Sequence, residues 1–170
     1  MNTAREGADR SDAEKEVILL AKKKALKLLD YMDRTERQLR DKLKEGGFPP
    51  FAVDEAVEYV RAHHYIDDLR YAKGFIETRK DSRSRFELKH MLKERGISDV
   101  DIEQALEEAE LDDRTPLEHL FRKKYAGKDP ADPKTYEKAF RYFSTKGYRY
   151  EDIKAALLKV LSENDPESGF

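Results

Sequence analysis

Residues 35–57 read TERQLRDKLKEGGFPPFAVDEAV, with apolar residues three and four apart on both sides of a Gly-Gly pair. Leu39 and Leu43 share one face of a helix, and Val53 and Val57 share one face of another. Thr35 stands four residues before Leu39, where a hydroxyl can accept a backbone N–H left unpaired at a helix start, and Gln38 three residues later completes a capping box. Gly47 suits the left-handed position that closes a helix, and Phe48 can then fold back onto Leu43, as in a Schellman cap. The stretch therefore predicts helix, cap, helix.

The same sentence is written twice more. Residues 84–106 read SRFELKHMLKERGISDVDIEQAL and residues 135–157 read TYEKAFRYFSTKGYRYEDIKAAL. Leu39, Leu43, Gly47, Phe48, Val53 and Val57 become Leu88, Leu92, Gly96, Ile97, Ile102 and Leu106, then Ala139, Phe143, Gly147, Tyr148, Ile153 and Leu157, with no gap inside the unit. Ser84 with Glu87 repeats the capping box; in the third copy Thr135 is the expected cap, and Lys138 breaks the box. Ser98 with Asp101 caps the helix that carries Ile102.

Working outward, each pair is preceded by one more helix: Ala25, Leu26, Leu28 and Leu29 in the first unit, Tyr71, Ala72, Phe75 and Ile76 in the second, Leu117, Leu120, Phe121 and Tyr125 in the third. Ile66-Asp67-Asp68 and Leu111-Asp112-Asp113 mark the starts of the last two, an aspartate being a good N-cap at the positive end of a helix dipole. The expected organisation is all-α: a polar N-terminal extension at 1–20 running into the first helix, three-helix repeats at 21–65, 66–111 and 112–163, and a flexible tail at 164–170. The third repeat has a longer first connection, Gly127 to Pro133. Such units stack in a line, which predicts an elongated body that follows long surfaces rather than enclosing a deep pocket.

Composition agrees. The 170 residues are 41% charged and 38% apolar, enough for thin cores in small units. There is no cysteine, so no disulfide, thiolate metal site or cysteine nucleophile. Apolar runs such as Val17 to Ala21 fall far short of a membrane span, and the first sixteen residues are polar with both charges, so a cytoplasmic protein is expected.

The net charge of −2 hides a contrast. The stretch 79–95 carries a net +4 and 101–114 a net −6. Arg79, Lys80, Arg83, Arg85, Lys89 and Lys93 form one candidate surface for phosphates or a partner's carboxylates, and Arg122, Lys123 and Lys124 another. The competing reading is a solvated face with internal pairs, such as Arg83 with Glu87 or Lys93 with Asp81. The third unit interleaves aromatic and basic residues, a pattern that suits stacking on single strands. Phe121, Phe143 and Tyr148 hold core positions, however, and only Tyr136, Tyr142 and Tyr150 are free of that duty.

No catalytic constellation emerges. His63 and His64 are neighbours pointing about 100° apart on a helix, so they cannot clamp one ion as an i, i+4 pair would. His90 and His119 stand apart, Gly74 is alone in a predicted helix, and no phosphate-binding glycine loop or serine elbow is present. Neither enzyme activity, a cofactor nor a metal is expected.

Ala25-Leu26-x-Leu28-Leu29, Arg34-Thr35-Glu36-x-x-Leu39-x-x-x-Leu43, Gly47-Phe48, Tyr65-Ile66-Asp67-Asp68-x-Arg70-Tyr71-Ala72 and Leu88-x-x-x-Leu92-x-x-x-Gly96-Ile97 together resemble the RecX family over roughly residues 20–162. The resemblance implies a monomeric regulator of the RecA recombinase that lies in the helical groove of the RecA filament. It implies inhibition of ATP hydrolysis, strand exchange and co-protease activity, hence control of recombination and the SOS response, with DNA met mainly through the filament. The alternative is a helical-repeat module that binds single- or double-stranded nucleic acid directly. Neither reading requires a reaction, because inhibition needs only different affinities for different filament states.

Overall fold

The computed structural model describes residues 10–129 and 131–163. Among them are nine α-helices and no strand: α1 (Asp12–Tyr31), α2 (Glu36–Glu45), α3 (Pro50–Ala62), α4 (Asp68–Glu77), α5 (Arg85–Glu94), α6 (Asp99–Glu108), α7 (Arg114–Lys124), α8 (Pro133–Thr145) and α9 (Tyr150–Glu163). The all-α repeat expectation holds. Part of the stretch expected as an extension is helical, since α1 starts at Asp12 behind a capping box formed by Ser11 and Glu14. The expected tail at 164–170 lies outside the described residues, as do residues 1–9.

The chain divides into two compact units, one of Met1–Tyr71 with Arg95–Ile97, the other of Ala72–Glu94 with Ser98–Phe170. In the first, α1 lies against α3 with α2 beside both. Ile18, Ala21 and Ala25 of α1 meet Leu39 and Leu43 of α2 and Ala52, Val53, Ala56, Val57 and Val60 of α3, and Ile66 closes the core. Alanines on both α1 and α3 let the backbones approach closely while the branched residues fill the space between. In the second unit α7 and α8 pack on α9 around Leu117, Phe121, Tyr125, Ala139, Phe143, Tyr148, Ile153, Ala156, Leu157 and Val160. Ala72, Phe75, Ile76, Leu88, Leu92, Ile102, Ala105 and Leu106 are the buried residues of α4 to α6.

The caps explain why the helices begin and end where they do. Thr35 accepts from the Gln38 N–H while Gln38 accepts from the Thr35 N–H, and Ser84 and Glu87 do the same. Gly47, Gly96 and Gly147 have φ of 82°, 80° and 82°. The third copy departs from expectation. Asp132, not Thr135, caps α8, accepting from both the N–H and the hydroxyl of Thr135, so α8 starts one turn earlier at Pro133. An aspartate followed by a proline at the first helical position is the stronger start signal, and it displaces the threonine.

Two helix ends carry a left-handed residue that is not glycine: His64 at φ 56° and Glu110 at φ 45°. The Tyr65 N–H donates to the Val60 carbonyl at 2.9 Å and the His64 N–H to that of Arg61 at 3.0 Å, so α3 closes with the Schellman pattern without glycine. No sequence signal marked either site.

Candidate partner-binding surfaces

The paired aspartates divide their labour. Asp67 caps α4 by accepting from the Arg70 N–H at 2.9 Å, whereas Asp68 accepts from the N–H of Glu36, the first residue of α2, at 2.8 Å. Forty-five residues on, Asp112 accepts from the Arg114 N–H, and Asp113 accepts from the N–H of Arg85, the first residue of α5. A helix's first N–H groups have no partner inside the helix, and here an aspartate 32 or 28 residues further along the chain supplies one. The cap hydroxyls run in parallel: Thr35 donates to the Arg95 carbonyl at 2.7 Å and Ser84 to the Lys146 carbonyl at 2.6 Å. Gly96 and Gly147 follow those carbonyls, and a Cβ there would run into the side chains of Arg37 and Phe86 respectively. The whole of Thr35 and Ser84 is buried.

The candidate basic residues of 79–93 are largely engaged within the molecule, Arg83 beside Glu87 and Lys146, Arg85 and Lys89 on the side facing α6. Arg85 and Lys89 both reach Glu103 of α6. Arg83 pairs with Glu87 as the i, i+4 spacing suggests, and Lys80 pairs with Glu77. Lys93 pairs with Asp99 at 2.8 Å rather than with Asp81, because Asp99 opens the helix that packs beside it. The Arg79 guanidinium lies over the Phe75 ring at 4.0 Å. The acidic stretch therefore folds onto the basic one. Lys89 holds the Glu103 carboxyl below its ordinary range, and Lys93 does so for Asp99. In the other candidate group Arg122 pairs with Glu118 and Glu163, Lys124 sits over the Tyr142 ring at 4.0 Å, and Lys123 has no ion-pair partner among the described residues.

Unpaired cations occur elsewhere. On α1, Lys23, Lys24 and Lys27 are exposed without an ion-pair partner among the described residues, and the Lys22 ammonium lies 5.0 Å over the Tyr59 ring. No acid occurs between Glu16 and Asp30, a signal the sequence offered. On α8, α9 and the connection between them, Lys134, Lys138, Arg141, Arg149 and Lys154 are exposed and without an ion-pair partner among the described residues. Arg141 lines an open groove of about 460 Å³ with Tyr136, Glu137, Phe140 and Tyr150, in which the Phe140 and Tyr150 rings are 5.0 Å apart. Tyr142, expected to be free, is covered by Lys124 and Lys146.

Tyr148 lines a smaller cavity of about 190 Å³ with Arg83, Glu87 and Lys146. Its hydroxyl is buried without a hydrogen-bond partner, and burial with the nearby Glu87 charge pushes its ionisation far above the ordinary tyrosine range. No group of histidine, aspartate and glutamate among the described residues could hold a metal ion. No helix among them is long and apolar enough to cross a membrane.

Residues 21–59 match the family description "RecX, first three-helix domain" and residues 67–106 match "RecX, second three-helix domain". The chain is 32% identical over 153 residues to a protein named regulatory protein RecX from Clostridium tetani, spanning 88% of this chain and 71% of that one. The chain belongs to the RecX family. A RecX of Pseudomonas savastanoi is 29% identical over 130 residues, 76% of this chain and 84% of its own. The crystal structure of RecX from Lactobacillus salivarius superposes with a TM-score of 0.71 at 22% identity, over 88% of this chain and 99% of that one, a likeness of fold. A second solved regulatory protein RecX gives a TM-score of 0.74 at 26% identity, over 84% and 74%. RecX proteins are regulators and not a known enzyme family, so the chain is a RecX-type regulator.

Proposed function

We propose that the chain is a non-enzymatic regulator that binds the RecA recombinase, or the groove of its nucleoprotein filament, and mostly inhibits its ATP hydrolysis, strand exchange and co-protease activity in DNA repair and recombination. Membership in the RecX family, carried by both three-helix domains at 21–59 and 67–106, is the observation that supports this reading. Three repeats at 21–65, 66–111 and 112–163, acting as a cytoplasmic monomer, would contact neighbouring protomers together. Such a body inhibits by binding one filament geometry better than another, and it shifts the filament by no more than that difference. Candidate contacts are Arg79, Lys80, Arg83, Arg85, Lys89, Lys93, Arg122, Lys123 and Lys124 where they can exchange internal partners for external ones, and the unpaired lysines of α1. The test is DNA-dependent ATP hydrolysis by the cognate recombinase with and without the chain. A stoichiometric amount lowers the rate; an unchanged rate overturns the reading.

A second reading is direct nucleic-acid binding, and the face of Tyr136, Phe140 and Tyr150 with Arg141 in its lining and Arg149 next to Tyr150 in the chain favours it. Affinity for a labelled single strand without recombinase would then fall steeply with salt. Absence of binding at low salt removes it.

A further inference from the structure

Five helices end through a residue with positive φ: Gly47, His64, Gly96, Glu110 and Gly147. In such an ending the following residue folds back onto the helix. Ile97 and Tyr148 are buried, and Phe48 and Leu111 half-buried. Tyr65, after His64, is instead 51% exposed. Its backbone is held like the others, by the bond to Val60, in spite of a left-handed conformation at His64 that disfavours any side chain. The ring stacks on His63 with an interplanar angle of 5°, and His63 lies 4.3 Å from Tyr59. Its neighbours in the Tyr65 to Ala72 signature have internal duties. Ile66 and Ala72 are buried, Asp67 caps α4, Asp68 serves Glu36, and the Arg70 guanidinium donates to the carbonyls of His64 and Tyr65. Among the described residues the stack on His63 is the one aromatic or polar contact of the Tyr65 ring.

What it does border is a cleft of about 510 Å³ on α1, formed with Leu26, Lys27, Leu29 and Asp30. The lining is aliphatic at Leu26 and Leu29 and aromatic at Tyr65, and Lys27 in it, like Lys23 and Lys24 one turn before on α1, makes no ion pair among the described residues. We propose that this cleft is a socket for a large apolar side chain of the recombinase, on a segment that also bears carboxylates. The inference rests on the recombinase reading above. Leucines in the lining suit an apolar side chain better than a base, and the nearby lysines, which outnumber Asp30, complement carboxylates. Tyrosine held rigid beside an apolar hollow is the kind of residue that anchors protein interfaces.

The test uses the full-length chain and filaments of the cognate recombinase on single-stranded DNA with a non-hydrolysed nucleotide. Tyr65→Ala weakens filament binding about tenfold, Tyr65→Phe binds like wild type, and the exposed pair Lys23→Glu with Lys27→Glu weakens binding about fivefold. Helicity and the thermal midpoint of each are measured alongside. Wild-type binding by a folded Tyr65→Ala overturns the socket and leaves the recombinase reading standing; if Tyr65→Ala misfolds, an unchanged affinity of the lysine variant overturns it. If wild type binds no filament, both fall. If the substitutions weaken binding to a bare labelled single strand and not to the filament, the occupant is nucleic acid and the protein socket is wrong.

Discussion

The Thr35 hydroxyl donates to the carbonyl of Arg95, 60 residues along the chain, at 2.7 Å, while its oxygen accepts from the N–H of Gln38. One small side chain thereby starts its own helix and holds the Arg95–Ile97 segment of the same unit, and Ser84 starts α5 and holds Lys146 at the end of α8. Being fully buried, neither hydroxyl can be replaced by water if its partner is lost.

Thr35→Val and Ser84→Ala should each lower unfolding stability by about 2 kcal/mol, about half from the cap and half from the orphaned carbonyl. Thr135→Ala is the control, costing under about 0.5 kcal/mol, because Asp132 caps α8. Guanidinium titrations followed by circular dichroism check this. Equal losses at all three positions would show that the junction bond contributes nothing.

Glycine at 147 answers to two constraints and glycine at 47 to one. Both have φ of 82°, but a Cβ at Gly147 meets Phe86 and one at Gly47 meets nothing within 4 Å. Gly47→Ala should cost about 1 kcal/mol of backbone strain and Gly147→Ala about 1 kcal/mol more. Adding Phe86→Gly, which removes the Cβ as well as the ring, should recover the excess, read as a coupling energy in a double-mutant cycle.

Tyr148→Phe should leave stability unchanged or raise it by about 1 kcal/mol, because the hydroxyl it removes is buried without a partner. A loss of more than about 1 kcal/mol in thermal unfolding would mean that the hydroxyl is satisfied in solution.

Acid sensitivity should centre on Glu36. Burial alone would raise its pKa, but hydrogen bonds from Arg61 and Arg40 outweigh that and hold it below 4.5. The folded state therefore favours the charged form. Its contribution is complete above 4.5 and is lost as pH falls through the lower folded value. Glu36→Gln should destabilise at neutral pH and flatten the acid limb of a stability profile. Asp113 has the opposite sign, since burial raises its pKa above 3.8, and its favourable contribution is lost as pH rises through the folded value. Asp113→Asn retains an oxygen for the Arg85 N–H and should leave neutral-pH stability unchanged or slightly higher. A profile in which Glu36→Gln retains the full wild-type acid limb contradicts the assignment.

Leu39, Leu88 and Ala139 could be read as core, and Gly47, Gly96 and Gly147 as left-handed, because helix periodicity and capping act within a few residues and repeat along the chain. Thr35 and Ser84 were legible as caps for the same reason, and Asp67 with them. Nothing local disclosed that Asp68 serves Glu36 or that Asp113 serves Arg85, since those bonds join residues 32 and 28 apart. The candidate surface at 79–93 shows the limit most clearly. Sequence alone determined that Arg85 and Lys89 stand in a net-basic stretch at the start of a helix. Only tertiary structure brought Glu103 of α6 against them, while leaving Lys23, Lys24 and Lys27 without an ion pair among the described residues, because the availability of a charge depends on which helix faces it within a few ångströms.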